Sequence, residues 1–160
     1  MGHLSRPEAL RWCGERGIRR LEMGVGGWRQ ADHLDLDALL CEPAERDRLV
    51  GELAEHGIAL SCVNAAGNPL HPDPATGERH RALLRGAIEL AAMLGCDRVV
   101  TMSGCPGGPE RGGTPVFAPW PLVPDFEALW NWQLEHRLAP FWRELGEWAR
   151  TAAPGVTICL

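Results

Sequence analysis

Four times along this chain a helical pattern ends at a glycine and runs straight into a β-rich stretch. The glycines are Gly17, Gly57, Gly95 and Gly155. The stretches after them are residues 18–23, 58–64, 98–103 and 156–160. Glycine is favoured just past a helix C-terminus because it accepts φ > 0 without a Cβ clash. The phrases Glu15-Arg16-Gly17-Ile18 and Glu55-His56-Gly57-Ile58 nearly repeat one another. Successive glycines lie 40, 38 and 60 residues apart, and the first two spacings match one α/β unit of a parallel sheet. The pattern predicts four parallel strands ordered as in the chain, with helices on one side.

The helices can be placed from their ends. Ser5 with Glu8 forms a capping box and Pro7 falls in the first turn, so a helix starts at Ser5 and buries Ala9, Leu10 and Cys13. A second is expected over 43–55, with Leu49 and Leu53 inward. A third is expected over 78–94, where Leu84, Ala87, Ile88, Ala91 and Leu94 recur at helical spacing. Residues 125–153 also read as helix, but Pro140 removes a hydrogen bond and predicts two helices or one kinked helix. The aromatic residues there (Trp130, Trp132, Phe141, Trp142 and Trp148) are expected to pack rather than to form a ligand platform.

Composition narrows the chemistry. All sixteen basic residues are Arg, and the absence of Lys removes Schiff-base mechanisms from this chain. Acid–base work must fall to Glu, Asp, His or Cys. The formal charge of −5 argues against nucleic acid as a partner. The apolar runs are too short to cross a membrane, and Met1-Gly2-His3-Leu4 leads into a polar segment rather than a leader, so a cytoplasmic protein is expected. The six cysteines show no CxxC pair and are expected as free thiols. The six histidines show no HxH or HxxxH spacing, so no metal site is expected within this chain alone.

Two long loops are expected, 65–77 and 104–124. Each follows a strand, which in an α/β barrel is the catalytic side. Glu22, expected at the end of the first strand, reads either as an acceptor for a substrate hydroxyl, or acid–base group, or as the salt-bridge partner of a nearby Arg. Gly24-Val25-Gly26-Gly27 lacks the third glycine of a dinucleotide fingerprint and is expected to be a flexible loop, with a phosphate contact by its amides left open. The run Asn64-Ala65-Ala66-Gly67-Asn68-Pro69-Leu70-His71-Pro72-Asp73 carries two amides, an imidazole and a carboxylate. It suits either a polyhydroxylated ligand or a simple Asn- and Asp-rich turn. Ser103 could bind substrate or phosphate, and no nucleophile elbow surrounds it.

Taken in order, Gly17-Ile18-Arg19-Arg20-Leu21-Glu22, Gly57-Ile58-Ala59-Leu60-Ser61-Cys62-Val63-Asn64, Gly67-Asn68-Pro69-Leu70-His71-Pro72, Ile88 to Gly95, Val99-Val100-Thr101-Met102-Ser103-Gly104, Trp120-Pro121 and Phe141-Trp142 resemble the sugar phosphate isomerase/epimerase family, the xylose isomerase-like TIM barrels. The resemblance covers nearly the whole chain from Ser5 onward. It implies a partial (β/α)8 barrel, about strands two to five of eight, forming one incomplete domain over residues 1–160. It implies metal-assisted enediol proton transfer on a sugar or sugar phosphate in the complete barrel, with a divalent metal (Mn, Mg, Zn or Co) held by residues beyond those present here. It places Glu22, Asn64, Asn68, His71 and Ser103 on the substrate-binding rim and assigns no metal ligand.

Such a half is expected to be inactive alone, and to be marginal or to self-associate through its open sheet edges. A non-catalytic remnant that binds a polyol or a partner is the second reading. A zinc-dependent abasic-site endonuclease of the same superfamily is the third, with the negative charge and the missing His clusters against it.

Overall fold

A computed structural model describes residues 4–110, 112–117 and 124–160. The expectations resting on Met1-Gly2-His3 and on Trp120-Pro121 lie outside the described residues. The first unit is α1 (Arg6–Glu15) and β1 (Arg20–Gly27). Two helices, α2 (Leu36–Cys41) and α3 (Pro43–Glu55), lead to β2 (Ala59–Ala66). The long α4 (Pro74–Met93) precedes β3 (Arg98–Thr101), and α5 (Pro124–Gln133) and α6 (Ala139–Ala152) precede β4 (Thr157–Cys159).

The sheet has four strands in the order β1-β2-β3-β4, and every neighbouring pair is parallel. This is the predicted topology. The four linking glycines all have positive φ, from 62° to 93°. Ser5 caps α1 with the expected capping box.

One face of the sheet carries the core. Met23 and Val25 of β1, Val63 and Ala65 of β2 and Val99 of β3 are buried with Leu10, Leu49, Leu53, Leu84, Ile88 and Leu145 of the helices. Glu22 and Gly24, which alternate with Met23 and Val25, are exposed. Helices therefore cover one side, and the other is open. Among the described residues no helix is long and apolar enough to cross a membrane. All six cysteines are free thiols.

Several expected boundaries shift, each for a physical reason. Gly24-Val25-Gly26-Gly27 is not a loop. It continues β1, with Gly24 opposite Asn64 and Gly27 opposite Ala66. Backbone pairing with β2 overrides the weak strand propensity of glycine, and the lack of a side chain permits the close approach. Helix α4 begins at Pro74, not Glu78, because Asp73 accepts the Thr76 N–H at 2.8 Å and caps the first turn. The loop after β2 is correspondingly short.

The 125–153 stretch is one continuous helical run containing a π-helical turn, Leu134–Leu138. The Ala139 N–H bonds to the Leu134 carbonyl, five residues back, and this widened turn immediately precedes Pro140, which has no N–H to place in the ladder. Phe141, Trp142 and Trp148 pack against the core as expected.

Helix α2 is not among the expected helices, although Asp35 caps it and Leu36, Leu39 and Leu40 fall at helical spacing. Its six residues are held by tertiary packing: Leu39 is buried, and Leu36 and Leu40 lie where a Cβ on Gly86 of α4 would touch them.

Candidate functional site

The open face of the sheet brings Glu22 and Asn64 together. Asn64 Nδ2 donates to Glu22 Oε1 at 2.5 Å, and Cys62 Sγ donates to Oε2 at 3.3 Å. A register shift makes this meeting possible. Leu21 pairs with Leu60, but Glu22 pairs with Cys62, so Ser61 is an extra residue in β2. Bulges of this kind re-aim side chains and recur beside active sites.

Glu22 is the third of eight residues in β1, so it lies along the strand and not at its end as expected. The cause is again the extension of β1 through Gly27. No cation pairs with Glu22 among the described residues, and the salt-bridge alternative falls away. An ionised carboxylate offers about four acceptor positions. Two are used here by β2, and the remainder can accept ligand hydroxyls.

Asn64 also lines a cavity of about 340 Å³ with Gly24, Gly26, Trp28, Arg29 and Asp32. That size lies within the ~300–1,000 Å³ of small-molecule sites. A larger cavity of about 980 Å³ shares Trp28 and Arg29 and continues to Arg79 and His80.

Trp28 follows the last residue of β1 and was not singled out by sequence. Its N–H donates to the Ala66 carbonyl at 3.0 Å. Its ring meets His80 edge-on at 4.9 Å and His71 at 6.0 Å. The only sequence signal for it is a tryptophan directly beyond a glycine-rich strand.

The other candidates divide by role. His71 accepts the Asp73 N–H on Nδ1 at 3.1 Å, which leaves its ring proton on Nε2, without a partner among the described residues. Asn68 is buried at 2% exposure. Its amide donates to the Cys105 carbonyl at 2.7 Å, and its oxygen accepts from Cys105 N at 2.9 Å and Leu70 N at 3.2 Å. It ties two loops together.

His80, also buried, accepts the Asn68 N–H on Nδ1 at 3.0 Å and lies 3.3 Å from the Gly27 carbonyl through Nε2. It joins α4, β1 and the loop. Ser103 follows β3 and is exposed. Its carbonyl accepts from Trp142 Nε1 at 2.9 Å. It lines a separate cavity of about 160 Å³ beside Pro106 and Gln133, apart from Asn64 and Trp28.

Burial pushes the Cys62 thiol above its ordinary value, and the hydrogen bond it donates to Glu22 adds to that. The neutral thiol is therefore the folded-state form at neutral pH. Alkylation of Cys62 by iodoacetamide is expected to need a higher pH than an ordinary thiol of about 8.5. Glu22→Gln removes the second cause and should lower that midpoint, while burial still holds it above the ordinary value. Peptide mapping across pH 7–10 reads this directly. A Cys62 that labels as fast as exposed Cys41 would contradict the geometry.

Comparisons with known proteins agree with this architecture. The family described as xylose isomerase-like TIM barrel matches residues 10–160. An uncharacterized protein of Bacillus subtilis (strain 168), YfiH, is 34% identical over 159 residues, which is 97% of this chain and 50% of that protein. The chain thus spans about half the length of the curated relative it matches. A crystal structure of a xylose isomerase-like TIM barrel protein from Mycobacterium smegmatis, in complex with magnesium, superposes with a TM-score of 0.57 at 22% identity. The superposition covers 95% of this chain and 44% of that one, and the likeness is one of fold.

Among the described residues no group of three or more His, Cys, Asp or Glu side chains could hold a metal ion. The Glu22 carboxylate already accepts from Cys62 and Asn64, and neither of these partners brings a second carboxylate to it. Such a cation does not fit the described residues.

Proposed function

The chain belongs to the xylose isomerase-like TIM barrel family, and on that premise we propose that it supplies the substrate-binding face of a barrel enzyme that isomerises or epimerises a sugar. The observation that carries this is the Glu22–Asn64 pair, hydrogen-bonded at 2.5 Å on the face of a parallel sheet that the helices leave open. In an α/β barrel, chemistry collects at the C-terminal side of the strands. Asn64, sixth of the eight residues of β2, lies toward that side and is hydrogen-bonded to Glu22. Asn64 and Cys62 hold the Glu22 carboxylate in one orientation, so it accepts a substrate hydroxyl without first being ordered. His71 presents an Nε2–H to a second substrate oxygen. Moving a proton at the carbon beside a carbonyl needs carboxylates or imidazoles at the right distance. In this reading Glu22 orients the hydroxyl from which the shared enediol forms.

The test is solvent-deuterium incorporation into ketoses, followed by NMR with Mn²⁺ present. Two proteins are compared: the Bacillus subtilis relative, and a chimera in which this chain replaces the matching half of it. Exchange is expected in both. Glu22→Gln in the chimera should slow it about 10–100-fold, the loss of a hydrogen bond to a charged group. Saturable sugar binding with no exchange in either protein would mark a binding module and overturn the catalytic reading.

A further inference from the structure

We propose that the ligand of this face is an uncharged polyol, with Trp28 as its stacking platform, and that the site discriminates against phosphorylated forms. The inference rests on the sugar reading above and narrows it to one substrate class.

Trp28 is 54% exposed although it is held at three points. Its backbone is pinned to Ala66, and its ring is met edge-on by His80 and His71 at interplanar angles of 71° and 68°. These contacts leave the indole half-exposed. A fixed, half-exposed indole offers a flat apolar surface, and the C–H face of a sugar is complementary to it. The same 340 Å³ cavity is lined by Asn64, which reaches Glu22. One wall therefore offers a flat apolar ring, and another offers the Asn64 amide, with the Glu22 carboxylate hydrogen-bonded to it. His71 adds a donor.

Anion recognition is opposed by the same rim. Phosphate in parallel α/β folds sits at helix N-termini. The first helix after β1 is capped by Asp35, which accepts the Ala38 N–H at 3.1 Å. The helix after β2 is capped by Asp73, which accepts the Thr76 N–H at 2.8 Å. Each carboxylate fills the place a phosphate would take and repels one. Arg6, Arg29 and Arg79 line the larger cavity, but Asp32, Asp35 and Asp37 line it too, and Arg6 is paired with Glu52 at 2.6 Å. The smaller cavity holds one of each sign, Arg29 and Asp32.

The test is calorimetric titration of the chain with D-fructose, D-sorbitol, D-fructose 6-phosphate and inorganic phosphate, with tryptophan fluorescence as a second readout. The two neutral probes should bind saturably and change the emission. D-fructose 6-phosphate should bind at least about tenfold more weakly, and inorganic phosphate should not compete. Trp28→Ala should weaken the neutral probes about tenfold, and Trp28→Phe by no more than about threefold, since stacking contributes on that scale.

Tighter binding of the phosphorylated sugar, competition by phosphate, or no saturable binding of any probe would overturn the proposal. So would a folded Trp28→Ala with unchanged affinity. The phosphate arms use the unsubstituted chain and hold even if Trp28→Ala does not fold. Neutral-sugar binding through Trp28 without deuterium exchange in the chimera would sink the isomerase reading and leave this one standing. Exchange with an unchanged KM in a Trp28→Ala chimera would do the reverse.

Discussion

Gly27→Ala is expected to cost about 4 kcal/mol or more, enough to unfold a domain of ordinary stability. Gly27 has a φ of 143°, a conformation closed to residues with a Cβ. A Cβ there would overlap the carbonyl group of Ala66 and lie 2.9 Å from Gly67 N. All of these are backbone atoms, so no side-chain rotation can relieve the clash. They belong to the ladder that joins β1 to β2, and the carbonyl of Gly27 itself lies beside His80.

The control is Gly57→Ala, where φ is 62° and nothing lies within 4 Å of the new Cβ. That substitution meets only the intrinsic left-handed penalty, about 1–2 kcal/mol. Urea unfolding of both variants separates steric closure from backbone preference. Equal losses would show that β1 and β2 do not approach as closely as described.

Asn68→Ala is expected to cost about 3–5 kcal/mol and to loosen the loop that presents His71. The side chain makes three hydrogen bonds in a nearly dry setting, one given and two received. Truncation leaves the N–H groups of Leu70 and Cys105 and the Cys105 carbonyl without partners. Each buried orphan costs about 1–3 kcal/mol, less where water enters. Asn68→Asp keeps an acceptor for the two N–H groups but turns a carboxylate oxygen toward the Cys105 carbonyl, and should recover only part of the loss. Denaturant midpoints, with hydrogen exchange at Leu70 and Cys105, read both effects. Unchanged exchange at those amides in Asn68→Ala would show that the two loops are held by something else.

Asn68 also shows where reading a sequence stops. Its residue type and its place after a strand were visible and pointed to a ligand. An amide that binds a hydroxyl and one that binds a backbone are the same amide. The choice between them depends on whether Cys105, thirty-seven residues later, returns to meet it. Glu22 and Asn64 present the same problem with a different outcome. Both residue types are legible as candidates, yet their contact follows from one extra residue in β2, a register detail with no local signal. Nothing local marks Trp28 as a site residue, because exposure and edge contacts are tertiary properties.

What the chain determined by itself is its order of units and their polarity. Helix-capping residues, glycines with left-handed φ and apolar residues at 3.6-residue spacing act within a few residues of each other. They placed α1 and α3 closely, the body of α4, and four parallel strands in sequence order. What the tertiary structure alone decided is everything that needs a partner from another unit. That includes the continuation of β1 through its glycines, the short α2 packed on Gly86, the π-helical turn ahead of Pro140, and the placing of Asn64 and Trp28 around one cavity with Glu22 hydrogen-bonded to Asn64. Strand pairing and burial draw on residues tens of positions apart, and no local propensity encodes which of them will meet.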